Sequence, residues 1–146
     1  MIIKDLNTSG AMPALEKMFL FAGQRQRIIA NNIANIDTPN YQGKDVDPRD
    51  FQKLLGEAIE ERRSRSGGGH GELVLRQTKQ IQTRGRQLIL NPQSPTAGVL
   101  FHDRNQRDLE RLVQQLVENA SAFRVAADLM RKTRSQLKLA IAQRVM

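Results

Sequence analysis

The chain lacks cysteine and tryptophan and is poor in aromatic residues of every kind. Its 146 residues include one Tyr and five Phe, so aromatics make up 4% of the sequence. The absence of cysteine excludes disulfides, thiolate zinc ligands and thiol nucleophiles. With so few aromatics and only 39% hydrophobic residues, the sequence predicts that a large compact core is absent. The length suits one domain or one elongated subunit.

Long apolar runs are also missing. The first ten residues, MIIKDLNTSG, hold one lysine and then polar residues, without the apolar stretch of a Sec signal peptide. No run approaches the roughly 20 apolar residues that cross a bilayer. We therefore expect neither a Sec signal peptide nor a membrane span.

Residue patterns that carry catalysis or metal binding are absent as well. His70 and His102 are the only imidazoles, and no HExxH spacing occurs. The run SGGGHGE lacks the lysine and Ser/Thr of a phosphate-binding loop. Asp45, Asp47 and Asp50 lack the glycine and distal glutamate of a calcium loop, so we interpret them as charges around a turn and a helix N-terminus. The sequence predicts no enzyme, no cofactor and no metal.

The formal net charge of +8 is unevenly distributed. Residues 1–60 are close to neutral, and the basic surplus lies in residues 61–107 and again after Ala120. A nucleic-acid binder is expected to present a Lys/Arg stripe, often with aromatics that stack on bases. Here the basic residues are interspersed and aromatics are scarce. We interpret the surplus as a solvated face, and a basic helical nucleic-acid-binding protein is the alternative of another class.

Apolar residues near the N-terminus recur at alternating spacings of three and four, which predicts a helix over residues 12–36. Pro13 suits the first turn, where its missing N–H costs nothing. Gln26 is the polar exception in this seam, which also includes Ile33 and Ile36. Its proposed packing residues are Leu15, Phe19, Ala22 and Ile29.

The same rhythm near the C-terminus predicts a second helix over residues 105–144. Asn105 is a suitable N-cap, and Asp108 and Glu110 place negative charge in the first turn, opposite the basic residues near the end. Arg134 is the polar exception in its seam. The proposed packing residues are Leu109, Leu116, Phe123, Met130, Leu137 and Ile141.

The region between the two helices, residues 37–104, differs in composition. It holds a short helical candidate over 48–63, a glycine-rich linker over 66–71 that we expect to be flexible, and weak strand character over 73–75 and 87–90. We predict an all-α, elongated single subunit, residues 1–146, with two long coiled-coil-like helices and a short, flexible, partly extended central segment.

The stretch ANNIANIDTPNYQGKDVD resembles the N-terminal signature of bacterial flagellar rod, hook and hook-associated axial proteins. Asn40 replaces the usual glycine of that signature, and asparagine tolerates left-handed backbone better than most residues. The short chain, the run QGKDVDPRDFQKLL and the C-terminal helix resemble proximal-rod subunits, of which two sister kinds remain open. The matching signature residues are Ala30, Asn32, Ile33, Ala34, Asn35, Thr38, Pro39 and Tyr41.

This resemblance implies an architecture, partners and a location. The two terminal helices are expected to pair antiparallel and to pack beside other rod and basal-body subunits in a helical tube that transmits torque. The resemblance also implies export through the flagellar type III apparatus to a periplasmic rod. Phe51 and Leu55 resemble a short export-gate element, and plain packing of an amphipathic helix explains them equally well.

The asparagines of the signature allow two compatible hypotheses. Asn35 is expected to end the helix in a left-handed conformation, with Asp37 and Thr38 forming the next turn. Asn32, with or without Asn31, is the candidate for bonding a neighbouring helix and fixing its register. The low apolar content also predicts that the free subunit folds incompletely and is cut first between Arg62 and Arg86.

Overall fold

A computed structural model describes residues 9–67, 69–94 and 109–144. Within these residues the chain forms helices α1 (Met12–Ala34) and α2 (Pro48–Ser66), strands β1 (Ile81–Arg84) and β2 (Gln87–Leu90), and helix α3 (Leu109–Arg144). None of the helices in the described part is long and apolar enough to cross a membrane.

The two long helices pack against each other, which confirms the predicted all-α fold class. Phe19 of α1 and Phe123 of α3 stack with ring centroids 4.5 Å apart. One turn along, Asn119 donates hydrogen bonds to the Ala22 carbonyl at 2.8 Å and to Gln26 Oε1 at 2.6 Å. Sequence numbers rise along α1 as they fall along α3 between these contacts, so the helices run antiparallel.

The long helices differ in length. At 1.5 Å per residue, the 36 residues of α3 extend about 54 Å and the 23 residues of α1 about 35 Å. The C-terminal end of α3 therefore passes the level at which α1 begins. The start predicted for this helix, with Asn105 as its cap and Asp108 in its first turn, lies outside the described residues, as does His102.

The main core is not in the seam between the two long helices. It lies between α1, α2 and the β1–β2 hairpin, where Phe21 and Phe51 stack with centroids 4.0 Å apart. A core of modest size therefore forms despite the scarcity of aromatics, because aliphatic side chains from separate segments of the chain meet there. The buried members are Phe21, Val46, Phe51, Leu54, Leu55, Ala58, Leu73, Leu75, Ile81 and Leu88.

The described part of the central segment contains one helix and one hairpin. Asp47 caps α2 by accepting a hydrogen bond from the Arg49 N–H at 2.8 Å, and Pro48 occupies the first turn. The helix continues three residues past the predicted Arg63 and ends at Gly67, which has φ +66°. The first residue of the predicted linker, Ser66, thus belongs to the helix.

The hairpin pairs Ile81 with Leu90 and Arg84 with Gln87. Gly85 opens its two-residue turn at φ +59°, the position where a hairpin turn of this kind requires glycine. Strand β2 matches the predicted 87–90, whereas β1 was not predicted. Residues 73–75 form no strand, and Leu73 and Leu75 instead contribute side chains to the core.

Candidate functional site: the signature loop and the helix pair

The end of α1 turns back on itself through several tight turns. Asn35 has φ −105° and ψ 13°, so the expectation that it adopts a left-handed conformation is wrong. Its N–H still bonds the Asn31 carbonyl, at 3.2 Å, and the helix ends at Ala34, two residues before the predicted Ile36. The left-handed step falls at Asn40, with φ 60°, a conformation that asparagine tolerates.

Asn32 is buried, and its amide bonds the same chain. Its Nδ2 donates to the Lys44 carbonyl at 2.6 Å, and its Oδ1 accepts the Lys44 N–H at 3.1 Å. A carboxamide presents the same donor and acceptor pair as a peptide unit, so it pairs with the returning backbone as a strand would. Both ends of the amide thus have partners within the chain, and the hypothesis that Asn32 also bonds a neighbouring helix stays a prediction.

The other signature polar groups bond each other around Tyr41. The Tyr41 hydroxyl donates to Asn32 Oδ1 at 2.9 Å and accepts from Asn31 Nδ2 at 3.2 Å. Asn35 Nδ2 donates to the Asn31 carbonyl at 2.8 Å, and the Thr38 hydroxyl donates to Asn35 Oδ1 at 3.4 Å. The asparagines in the last turns of α1 thus hold the helix end and the loop after it in one arrangement.

A buried ion pair fixes the base of this loop. Arg25, 5% exposed, donates to both carboxylate oxygens of Asp45, at 3.0 and 2.7 Å. Such two-point pairing is directional as well as strong. The backbone of Asp45 also pairs with Gln93 on the other side, with N···O distances of 3.0 and 3.1 Å. The returning segment is therefore held between α1 and the chain that follows β2.

Sequence reasoning missed Arg25 and interpreted Asp45 only as a charge near a turn. The available signal was position, because Arg25 lies seven residues before Asn32 and hence on the same face of the helix. A cation in a stripe that otherwise faces the core requires a buried partner.

The structure places the remaining signature residues at or near the surface. Ile33, Asn35 and Tyr41 are half-buried, whereas the others are exposed; these are Ala30, Ala34, Thr38 and Pro39. Asn32 is the member of the signature set that the structure buries.

The proposed packing residues fall into three groups. Leu15, Ala22 and Ile29 are buried. A second group is half-buried, consisting of Phe19, Leu116, Phe123, Met130 and Leu137.

Leu109 and Ile141 form the third group, being 49% and 48% exposed, so their assignment to the seam is wrong. Both lie near the ends of α3. Leu109 lies where the partner helix is ending, and Ile141 lies past the level of Met12, where α1 begins.

Phe51 and Leu55, the candidate export-gate residues, are 4% and 7% exposed and belong to the main core. Packing accounts for both side chains in the folded subunit. An export receptor could contact them only where this part of α2 is unfolded.

The charged groups of the site serve the fold. Within residues 9–67, 69–94 and 109–144, no three His, Asp or Glu side chains are placed to hold a metal ion. Asp47 and Asp50 lie at the N-terminus of α2, and the carbonyl of His70 accepts a hydrogen bond from the Ser66 hydroxyl. These charged and polar groups thus take part in the local structure of α2 and its ends.

The sequence of this region is similar to that of known proteins. The family described as Flagella basal body rod protein matches residues 22–42, the stretch that holds Arg25, Asn32 and Tyr41. The flagellar basal body rod protein FlgB of Salmonella typhimurium is 30% identical over 122 residues, which cover 79% of this chain and 78% of that protein. The chain belongs to the FlgB family of flagellar basal body rod proteins.

Two further relatives agree. FlgB of Escherichia coli is 30% identical over 110 residues, covering 70% of this chain and 72% of that protein. FlgB of Bacillus subtilis is 51% identical over 47 residues, or 32% of this chain and 34% of that protein. The family is structural and is not an enzyme class. Of the two sister proximal-rod proteins, FlgB and FlgC, the relatives carry the name FlgB.

Proposed function

We propose that this protein is a structural subunit of the flagellar basal body, equivalent to FlgB, which assembles by helix packing into the proximal rod. The family relationship over most of the chain carries the proposal. An antiparallel helix pair beside a compact core supports it, because such a subunit offers long side surfaces to neighbours. Contacts of this kind that do not close into a ring build a helical tube, which transmits torque as a rigid body.

The proposal includes partners and a location. We expect other rod subunits and basal-body components to surround the protein in the periplasmic part of the basal body. We expect delivery through the flagellar type III export apparatus. We expect no catalytic activity, no cofactor and no specific nucleic-acid partner.

Deletion of the chromosomal gene tests the function directly. We expect non-motile cells whose basal bodies lack a complete rod, and we expect a plasmid copy of the full chain to restore both. Electron microscopy of purified basal bodies and swimming in soft agar measure the outcome. Motile deletion cells with complete rods would contradict the proposal.

The buried position of Phe51 and Leu55 makes the export-gate hypothesis testable. If the export apparatus binds this pair in the unfolded chain, Phe51→Ala and Leu55→Ala will lower secretion of the subunit several-fold. Leu54→Ala is the matched control, because Leu54 is 3% exposed in the same helix but falls outside the Phe-x-x-x-Leu pattern. Immunoblots of secreted and cellular protein measure the ratio. Equal secretion of all three variants would leave only the packing role.

A further inference from the structure

An apolar groove follows the side of the α1–α3 pair. Its volume is about 610 Å³. Gly23 lies in it without a side chain, and a Cβ added there would come within 3.4 Å of the Phe123 ring. The groove therefore depends on the close approach of the two helices. The residues that line it include Leu20, Gly23, Arg27, Ala120, Phe123 and Arg124.

Two arginines flank this groove. Neither Arg27 nor Arg124 forms a salt bridge with any other residue that the structure describes. Both side chains are exposed. The groove thus combines an apolar floor with two uncompensated positive charges.

The first half of α3 presents the complementary surface, which we call the ridge. Val113 and Val117 are 44% and 60% exposed. Glu110 and Glu118 flank them, and across the described parts of the chain neither carboxylate has a cation within salt-bridge distance. Glu118 accepts a hydrogen bond from the neutral Gln114 amide at 2.8 Å.

The two surfaces match in spacing as well as in charge. Glu110 and Glu118 are a little over two helical turns apart, about 12 Å along α3. Because the helices run antiparallel, the stack of Phe19 on Phe123 puts Arg27 near the level of residue 115 of α3. Arg124 is then about 13 Å from Arg27 along the helix pair.

We propose that the ridge of one copy of this chain docks in the groove of a second copy. Val113 and Val117 fill the apolar floor, while Glu110 and Glu118 each meet one arginine. The inference rests on the proposed rod function, and it names the partner as a second copy and the surfaces as two different ones. A contact between different surfaces can repeat from copy to copy, which an open helical assembly requires.

The absence of cysteine in the chain makes disulfide trapping a clean test. The test variant is Val113→Cys with Ala120→Cys, one cysteine on the ridge and one in the groove. The two positions are about 10 Å apart on one helix, too far for a disulfide within a copy. The control is Val74→Cys with Ala120→Cys, since Val74 is 53% exposed and lies outside both surfaces.

Each variant is expressed in the deletion strain, and motility and the subunit content of basal bodies are recorded before oxidation. For the test variant we expect a ladder of cross-linked dimers, trimers and larger species, and for the control no ladder. Each single cysteine variant is expected to remain monomeric. Changing Glu110 and Glu118 to Arg should weaken the ladder at least several-fold, and changing Arg27 and Arg124 to Glu in the same chain should restore it.

Four outcomes overturn the inference while leaving the proposed function standing, provided the variants still support motility. A product that stops at the dimer indicates a closed pair. Dimers of Val113→Cys alone indicate ridge-to-ridge packing. Cross-links to a different rod protein identify another occupant, and the absence of cross-links removes the contact. If every cysteine variant, including the control, abolished motility before oxidation, the loss would report a defect in assembly caused by the substitutions themselves.

Discussion

At the scale of single residues, the polar side chains of the signature hold the loop that follows α1. The Asn32 carboxamide bonds the backbone of Lys44 as a peptide unit would, and Arg25 binds Asp45 from the same face of α1. A match confined to residues 22–42 thus coincides with a structural unit, the helix end with the segment that returns beside it. The amino acids of this unit are tied to one another by hydrogen bonding.

Asn32→Ala is expected to lower the free energy of unfolding by about 1–3 kcal/mol, because the Lys44 N–H and carbonyl lose their partner at a buried site. Asn31→Ala is the matched control. Asn31 is exposed, so its loss should change the free energy by no more than about 0.5 kcal/mol. Urea unfolding followed by circular dichroism measures both. Equal effects of the two substitutions would contradict the internal role of Asn32.

Lys17 is expected to make stability rise with pH in the alkaline range. Burial lowers the pKa of its ammonium group below 10.5, against the opposing charges of Glu16 and Glu72, while Nζ donates to the Arg86 carbonyl. Between the lowered folded pKa and the unfolded value, the unfolded chain binds more protons, so the free energy of unfolding increases as pH rises. Measured against Lys17→Met, this increase should appear below pH 10.5. Parallel curves for the two proteins would show that burial does not shift the titration.

At the scale of elements, each helix and turn begins and ends for a local reason. Asp47 and Pro48 begin α2, Gly67 ends it, and Gly85 closes the hairpin with a positive φ. The hairpin has only two strands and is marginal alone, so it depends on packing its buried side chains against α2 and α1.

Two glycine substitutions should have opposite effects on stability. Gly85→Ala forces a side chain into φ +59° and should cost roughly 1–2 kcal/mol. Gly56→Ala lies inside α2, where an added Cβ meets nothing within 4 Å, so it should gain up to about 1 kcal/mol of helix propensity. The midpoint of thermal unfolding should fall for Gly85→Ala and rise for Gly56→Ala. A shift of the same sign in both would contradict this account of the turn.

At the scale of the whole molecule, the subunit divides into a compact part and a projecting part. α1, α2 and the hairpin share the main core, whereas α3 touches α1 along one face and extends past it. Large apolar side chains remain exposed along α3, among them Val117, Val125 and Leu139. A helix of this kind is completed by neighbours, which fits a subunit that functions only in an assembly.

Hydrogen exchange of the free subunit should follow this division. Amides of α1 and α2 that border the core should exchange slowest, and those of residues 132–144 fastest, because few apolar contacts hold them. Mass spectrometry of peptic fragments measures the difference. Incorporation into rods should slow exchange along α3 by more than tenfold, whereas uniform rates along the free chain would contradict a compact part.

First cleavage of the free subunit between Arg62 and Arg86 stays a prediction. Because Leu73 and Leu75 are buried, we expect the first cut within residues 67–72.

The sequence by itself determined what depends on near neighbours in the chain. The three-and-four spacing of apolar residues defined the two long helices, and Pro13 and Pro48 marked the first turns of α1 and α2, since these effects act within one turn. The resemblance of residues 30–41 to a family signature likewise needed no coordinates.

Only the tertiary structure decided which distant residues meet. Arg25 and Asp45, or Asn32 and Lys44, are paired by the path of the chain, and neither residue type specifies a partner 20 or 12 positions away. For the same reason, the main core lies between α1, α2 and the hairpin and not in the seam between the two long helices. Burial of Leu73, Ile81 and Leu88 depends on three segments arriving at one place, whereas periodicity reports only which face of a segment is apolar.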